Sequence, residues 1–247
     1  MVATFRAPYT SPDDAVPALR ARGYAVLAPD AVSALFDVPL DALRALAPAW
    51  DDLPPDEYLR DGGRYRRRRH GCFVVGSGGI AQAPHRAHYQ PLDYNALHGG
   101  LQRWFAPIDP ATVAAPAWNG LLVALGALLR SVRGVDPWYV EAHQFRIDTT
   151  DGIGRPTPEG AHRDGVDFVA VFLVDRQAIR GGETRVFDAA GPDGQRFTLG
   201  EPWSLLLLDD TRTIHETTPI QPLPDVAGGH RDTLVLTYRA GGFQSEG

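Results

Sequence analysis

The pattern of apolar and polar positions along the chain changes near residue 135. Before that point, capping and turn residues separate helical segments from strand-like ones. The predicted helices cover about residues 11–23, a stretch capped by Asp30, residues 40–50 and residues 109–133, and the predicted strands are 24–28 and 64–76. A segment rich in Pro, His and Gly, residues 78–109, fits neither pattern. We therefore expect a mixed helix and strand region over about residues 1–135.

Beyond residue 135, short apolar runs alternate with turn residues. Seven candidate strands follow one another: PWYVEAHQFRID, VDFVAVFLVD, ETRVFDA, QRFTLG, WSLLLLDD, TRTIHETT and RDTLVLTYR. Their spacing is typical of an antiparallel sandwich or barrel, with the earlier helices packed outside it. The prediction is a mainly β fold with flanking helices, in a single domain over residues 1–247 whose β core covers about residues 136–240.

Composition narrows the classes of function. The net charge is −6, so no overall positive field favours nucleic acid or a membrane surface. All 24 basic residues are arginine, which excludes the lysine-dependent chemistry of pyridoxal enzymes, lysine aldolases and Walker-type NTPases. The single cysteine, Cys72, agrees with a reducing compartment. No apolar run is long enough to span a bilayer. We therefore expect a cytoplasmic protein that acts on a small molecule, and the sequence leaves open whether it forms a homodimer.

The segment EGAHRDGVDF holds the strongest chemical signal. His162 and Asp164 precede a predicted strand, and His215 follows 51 residues after Asp164, near the end of the β-rich region. A closed β fold can return such distant positions to one point. Two imidazoles and one carboxylate on one face of an ion leave the opposite positions open, as in non-haem Fe(II) oxygenases. An HxD pair alone is common by chance, so this interpretation needs further features.

One such feature opens the last predicted strand. Arg231 lies sixteen residues beyond His215, and its planar guanidinium can bind a carboxylate through two hydrogen bonds. Thr233, two residues on, points to the same strand face and can add a hydroxyl. Alone, Arg231 would be read as a surface cation at a strand end.

Four segments, HRDGVDF, RGGETRVFD, IHETTPI and RDTLVLTYR, together resemble the 2-oxoglutarate-Fe dioxygenases that include bacterial hydroxylases of free aliphatic L-amino acids such as L-isoleucine. The likeness covers about residues 138–239. It implies a double-stranded β-helix, the cupin-like jelly roll, with Fe(II) bound by His162, Asp164 and His215. It further implies that Arg231, with Thr233 beside it, binds the distal carboxylate of 2-oxoglutarate.

The same resemblance implies a reaction. With O2 as oxidant, 2-oxoglutarate is converted to succinate and CO2 while a small free L-amino acid or similar metabolite is hydroxylated. The carboxylate of Asp164 favours hydroxylation over halogenation, because related halogenases have a small residue there. For substrate contacts we consider Gln144 and Arg146, which alternate on one strand, and Thr184, which follows a glycine turn. Each of them can equally well lie outside the cavity.

Two other functions remain open. One is a cupin-like metal enzyme that does not use 2-oxoglutarate. The other is a catalytically silent protein of the same fold that binds a metabolite or a partner in regulation or a stress response.

Four weaker signals favour structural interpretations. The GSGGIA run fits a dinucleotide fingerprint, but Pro84 and Pro91 interrupt the helix that should follow, so a glycine turn is expected. RYRRRR predicts a solvated strand face or one arginine that reaches the cavity. For HRAH, with His85 and His88, no third ligand is evident and a surface loop is expected. Cys72 is expected to be a buried small residue.

Overall fold

The computed structural model describes residues 5–95, 97 and 99–245, and the account below refers to these residues. Its helices are α1 Ala15–Arg22, α2 Pro29–Phe36, α3 Leu40–Arg44, α4 Pro110–Ala114 and α5 Pro116–Arg133, with a 3-10 helix at Ala47–Trp50. Its strands are β1 Tyr24–Leu27, β2 Arg66–Gly76, β3 Gly79–Gln82, β4 Trp138–Asp148, β5 Phe168–Gln177, β6 Ile179–Gly181, β7 Thr184–Asp188, β8 Gly194–Phe197, β9 Leu205–Asp209, β10 Thr213–Thr217, β11 Ile220–Pro222 and β12 His230–Arg239.

Seven strands form the large antiparallel sheet, in the order β1-β9-β5-β12-β4-β2-β3. Its central strands β4, β5 and β12 are 10 or 11 residues long and pair over nearly their whole length. Because side chains alternate between the two faces of a sheet, one face packs on the helices and the other faces the interior of the β core. A three-stranded sheet, β10-β7-β8, and the pair β11-β6 complete the β region.

The helices cover the outer face of the large sheet. Helix α5 has apolar residues on the side that contacts β2 and β12, and Gly126 lets it approach closely: a Cβ there would lie 2.7 Å from Val75 Cγ1. Trp138 Nε1 donates to the Gly126 carbonyl at 3.2 Å. A core cluster of aromatic and aliphatic side chains fills this layer, which anchors the sheet that bears the site.

The second face of the large sheet and the small sheet enclose the interior. Val169, Leu173, Leu206, Val186 and Phe197 pack between them as a separate apolar cluster. This mainly antiparallel arrangement with few helices is jelly-roll-like, as predicted. All seven predicted strands beyond residue 135 are present, and the short strands β6 and β11 were not anticipated.

Several predicted helix bounds differ from the structure. The helix expected over 40–50 is split into α3 and the 3-10 helix, and the helix expected over 109–133 is broken at Ala115. Pro48 and Pro116 explain both breaks, because proline lacks the N–H that would continue a preceding helix. Asp30 was expected to cap α2, but it lies in the first turn of this helix, and the N-cap residue is Ala28. Among the described residues, no helix combines the length and apolarity that crossing a bilayer requires.

Candidate metal centre and its cavity

The loop that contains His162 and Asp164 is held by a buried carboxylate. Asp210 accepts hydrogen bonds from the backbone N–H groups of Asp164, Gly165 and Val166 at 3.0, 2.8 and 3.1 Å. Gly165 has φ of 77°, which favours glycine, and a Cβ there would lie 2.5 Å from the Tyr94 ring. The turn therefore holds the Asp164 side chain at the wall of the cavity.

His215 reaches the same point from β10. The backbones of His162 and His215 exchange two hydrogen bonds, each 3.0 Å long, in an isolated antiparallel bridge. Their ring centroids are 4.7 Å apart. The strand and the loop are thus joined by main-chain bonds, and the two imidazoles lie side by side.

Three side chains then converge, as a group that we call the triad: His162, Asp164 and His215. The two carboxylate oxygens each lie 3.7 Å from one imidazole Nε2, Oδ1 from that of His162 and Oδ2 from that of His215. Neighbouring ligands of an octahedral ion with bonds of about 2.1 Å are about 3 Å apart. The three groups are therefore too far apart for hydrogen bonds to one another. Their separations are only slightly wider than those of ligands around a bound ion, so these donors fit a metal.

The tautomer of His162 agrees with a metal site; burial lowers the pKa of this ring, and the charges of Asp164 and Glu159 outweigh burial and raise it. His162 Nδ1 lies 2.9 Å from the carbonyl oxygen of Gly160, which can only accept, so the neutral ring carries its hydrogen there and Nε2 is free to coordinate. Burial lowers the pKa of His215 to about 3. Burial also raises the pKa of Asp164, and the nearby His162 only partly offsets this. A bound cation would stabilise the buried carboxylate.

Gln90 supports the carboxylate of Asp164 from the amino-terminal half. Its Nε2 donates to Asp164 Oδ1 at 3.0 Å. Its Oε1 accepts from Asn95 Nδ2 at 3.1 Å and from Arg103 Nη2 at 3.0 Å, which fixes the orientation of the amide. A hydrogen-bond chain thus runs from Arg103 through Gln90 to the triad.

Arg231 and Thr233 both line the cavity from β12, as the alternation of the strand requires. Arg231 is buried, its Nε has no hydrogen-bond partner, and no carboxylate of the described residues lies within 4.0 Å of it. Burial lowers its pKa to about 10. A buried cation without an ion-pair partner is costly, so this wall is suited to an anionic ligand.

The three residues considered for substrate contact lie outside the cavity lining. Gln144 and Arg146 alternate with the lining residues of β4 and so face the other way. Arg146 pairs with Asp232 at 2.7 Å, and Gln144 is fully buried. Thr184 is buried in β7. The expectation that these side chains face the cavity is therefore not met.

A second group of metal-type residues lies in the same cavity region. This imidazole cluster consists of His70, His88, Glu141 and His143, all buried. Glu141 Oε2 lies 2.6 Å from His88 Nδ1, 3.7 Å from His70 Nε2 and 3.9 Å from His143 Nε2. The His70 and His143 rings stack with centroids 4.8 Å apart.

Hydrogen bonds within the imidazole cluster make it a poor metal site. Arg68 Nη2 lies 2.6 Å from His143 Nδ1, and because arginine can only donate, this nitrogen must accept. The neutral His143 ring therefore carries its hydrogen on Nε2, where a metal would bind. Burial lowers the pKa of His88 to about 3, so this ring is neutral. Although burial raises the pKa of Glu141, the imidazoles of His88 and His70 outweigh this and lower it.

Two expectations for the first half are corrected here. His88 is 6% exposed and bonded to Glu141, so HRAH is not a surface loop. Arg66 and Arg68 both line the cavity, and they lie 2.7 and 3.7 Å from the carboxylate of Asp56. The sequence had led us to expect at most one arginine of RYRRRR there. The glycine turn at GSGGIA and the buried Cys72 are confirmed.

Several site residues had no local signal in the sequence. Two long-range contacts bring such residues to the cavity: Asp210 bonds to Asp164 across 46 positions, and Gln90 bonds to it across 74. Gln90 and its partner Arg103 also lie in the segment 78–109, which the sequence left unassigned. Glu141 and His143 were detectable in principle, because they alternate with Phe145 on one face of a predicted strand.

The chain matches one family model and several solved structures. A family model described as 2OG-Fe dioxygenase matches residues 47–237. A solved bsmA homolog from Methylobium petroleophilum PM1 is 54% identical, with a TM-score of 0.92 over 100% of both chains. No curated protein matches the chain.

More distant structures share the fold. IDO from Bacillus thuringiensis is 18% identical, with a TM-score of 0.75 over 95% of this chain and 100% of that one. A prolyl-4-hydroxylase from Pseudomonas putida is 17% identical, with a TM-score of 0.52 over 94% of this chain and 100% of that one.

Proposed function

The chain belongs to the 2OG-Fe dioxygenase family, whose members use Fe(II), 2-oxoglutarate and O2, and we propose that it hydroxylates a small free L-amino acid. In this proposal His162, Asp164 and His215 bind the iron. Arg231 binds the distal carboxylate of 2-oxoglutarate, and Thr233 lies beside it with a hydroxyl on the same strand face.

One observation carries the assignment of residues. The triad and an unpaired buried arginine lie on the wall of one cavity, and the triad places two Nε2 atoms 3.7 Å from the oxygens of one carboxylate, beyond hydrogen-bond distance. The donor set instead suits an ion, and the arginine suits an anion that reaches across the cavity.

When bound, iron and 2-oxoglutarate supply the oxidising power: one oxygen atom of O2 enters the substrate C–H bond and the other enters succinate, with release of CO2. The chain's own residues position and isolate the reactants. The Gly160 carbonyl orients the His162 ring, and the Gln90 amide orients the Asp164 side chain. Asp210 holds the backbone of the loop at Asp164. Val166, Val171 and Val235 line the cavity with apolar surface that limits water near the site.

The substrate class is supported by the sequence and by the cavity. HQFRI and PTPEGAHRDG resemble the hydroxylases of free aliphatic L-amino acids, which makes isoleucine, leucine and methionine the leading candidates. The cavity wall carries both cationic and anionic side chains, and the net charge of −6 does not favour nucleic acid. We further propose that the protein acts in the cytoplasm on a diffusible metabolite.

The test is turnover of a pooled amino-acid mixture. Protein is loaded anaerobically with Fe(II) and 2-oxoglutarate, O2 is admitted, and the products are read by mass spectrometry. The proposal expects succinate together with a gain of one oxygen on one amino acid, and an Asp164→Ala variant that gives neither. Succinate formation that no pooled amino acid stimulates would contradict it.

A further inference from the structure

Four arginines line the cavity, and they divide into two pairs by their partners. Arg66 and Arg68 share the carboxylate of Asp56. Arg103 and Arg231 have no carboxylate within 4.0 Å among the described residues. Both of these unpaired arginines are buried, and the Nε of each lacks a hydrogen-bond partner.

The two unpaired arginines are alike in electrostatic state. Burial lowers the pKa of each guanidinium to about 10. Such groups remain charged at neutral pH, and desolvating a cation without a counter-ion is expensive unless a ligand supplies one. Arg231 receives that counter-ion from 2-oxoglutarate under the proposed function. The carboxylates of Asp56, Glu159 and Glu141 also act on Arg103, but none of them lies within 4.0 Å of its guanidinium, so Arg103 is suited to a second anion, from a different molecule.

Arg103 lies close to the metal centre. Its Nη2 donates to Gln90 Oε1 at 3.0 Å, and Gln90 Nε2 donates to Asp164 Oδ1 at 3.0 Å. One amide group therefore separates the guanidinium from a metal ligand. A carboxylate bound to Arg103 would place the neighbouring carbons of its own molecule beside the iron, where oxidation takes place.

A buried carboxylate lies on the same part of the wall. The backbones of His88 and Arg103 exchange two hydrogen bonds, of 2.9 and 3.0 Å, and the His88 ring holds Glu141 through Nδ1 at 2.6 Å. Only Oε2 of Glu141 is used in this way, and Oε1 is buried without a hydrogen-bond partner. The imidazole N–H groups keep the carboxylate ionised, so its free oxygen suits a cationic donor.

Resting on the proposed function, we propose that Arg103 binds the carboxylate and Glu141 the ammonium group of the substrate, so that this wall recognises the zwitterionic end of a free α-amino acid. The aliphatic side chain then extends toward the triad. The inference goes beyond the hydroxylase assignment, because it fixes which end of the substrate is held and by which residues.

The experiment combines each variant with a substrate analogue that lacks the group bound by the substituted residue: the amine lacks the carboxylate, and the carboxylic acid lacks the ammonium group. The probes are L-isoleucine, L-leucine and L-methionine, together with the amine and the carboxylic acid that correspond to each. Apparent KM is measured from succinate formation for wild type, Arg103→Gln and Glu141→Gln. In such a cycle, a direct contact appears as a penalty that vanishes when the partner group is absent.

The expected pattern is specific. Arg103→Gln raises KM for the amino acid by about 10- to 100-fold, the loss expected for a charged hydrogen-bonded pair, and has little effect with the amine. Glu141→Gln raises KM for the amino acid by a similar factor and has little effect with the carboxylic acid. Arg103→Lys, which keeps the charge, recovers part of the loss.

Two controls exclude a folding defect. Arg67 lies on β2 outside the cavity lining, and it pairs with Asp148. The Arg67→Gln variant should therefore leave KM for the amino acid unchanged. Binding of 2-oxoglutarate to the Fe(II) protein, followed anaerobically by absorption, should be the same in Arg103→Gln as in wild type.

Failure of the inference is distinguishable from failure of the proposed function. If wild type hydroxylates the amino acid but the variants show unchanged KM, or equal penalties with the analogues, the recognition site is overturned and the hydroxylase remains. The same holds if the substrate found in a wider screen lacks a carboxylate or an amine. If no compound stimulates succinate formation, the hydroxylase proposal itself fails.

Discussion

The cavity contains two groups of histidine and carboxylate that are similar in composition and different in state. In the triad, two Nε2 atoms face the carboxylate of Asp164 at 3.7 Å, beyond hydrogen-bond distance. In the imidazole cluster, Glu141 accepts a 2.6 Å hydrogen bond from His88, and Arg68 occupies the free nitrogen of His143. Under the proposed function an ion would complete the triad, whereas hydrogen bonds already occupy Nδ1 of His88 and Nδ1 of His143 in the imidazole cluster.

The difference shows that residue type alone does not define a metal site. What matters is where each imidazole carries its hydrogen, and that is set by the partner of its other nitrogen. His162 has a carbonyl partner, which forces Nε2 to be free. His143 has an arginine partner, which forces Nε2 to carry the hydrogen.

Removal of the metal-binding carboxylate should have the largest effect. Asp164→Ala takes away one of three ligands and the only negative charge among them, so we expect iron binding and turnover to fall by more than about 100-fold, beyond the range for residues that only orient ligands. Iron content after gel filtration and succinate formation measure the two losses. An Asp164→Ala variant with wild-type turnover would remove this carboxylate from the site.

Loss of the unpaired cation on β12 should affect 2-oxoglutarate alone. Arg231→Gln removes a buried charged donor, and we expect KM for 2-oxoglutarate to rise by about 10- to 100-fold. Iron affinity should stay unchanged because Arg231 is not part of the triad. Equal KM values for 2-oxoglutarate in variant and wild type would assign the cosubstrate to another cation.

A smaller effect is expected where the triad is oriented by the amino-terminal half. Gln90→Leu deletes the 3.0 Å hydrogen bond to Asp164 Oδ1, and loss of such an orienting bond costs about 10-fold or more in metal affinity or activity. Anaerobic Fe(II) titration checks the expectation. Gln90→Glu should be no better, because a second carboxylate cannot donate to Asp164.

The smallest effect on iron should come from the imidazole cluster. Glu141→Gln leaves the triad untouched, so its Fe(II) affinity should match wild type within about twofold, while KM for the amino acid changes as described above. Anaerobic Fe(II) titration measures the affinity. A lowered iron stoichiometry in this variant would show that the cluster binds metal, contrary to its hydrogen bonding.

Periodicity in the second half of the chain was enough to predict its seven main strands and the mainly β fold. The convergence of His162, Asp164 and His215 could be predicted from HxD and a distant histidine, whereas their role as metal ligands and the cosubstrate role of Arg231 stay predictions. The opposite wall could not be predicted in this way. Arg103 and Gln90 lie in the segment 78–109, which is largely irregular and placed by tertiary contacts, so no period reveals which side chains point inward.

Arg146 illustrates the opposite error. Because it alternates with Gln144 on the predicted strand, Arg146 suggested a substrate contact, but its parity on β4 directs it away from the cavity toward Asp232. One residue of register decides the face of a strand. The sequence does not mark which face is inward when both faces carry polar residues, as they do on β4.

Iron stoichiometry tests the central claim most directly, because the triad and the imidazole cluster offer two candidate sites in one chain. Protein is reconstituted anaerobically with excess Fe(II), and bound metal is counted per chain for wild type, His215→Ala and His88→Ala. The account expects one ion in wild type, none in His215→Ala and one in His88→Ala. Two ions in wild type, or an ion that is lost with His88 and kept without His215, would contradict it.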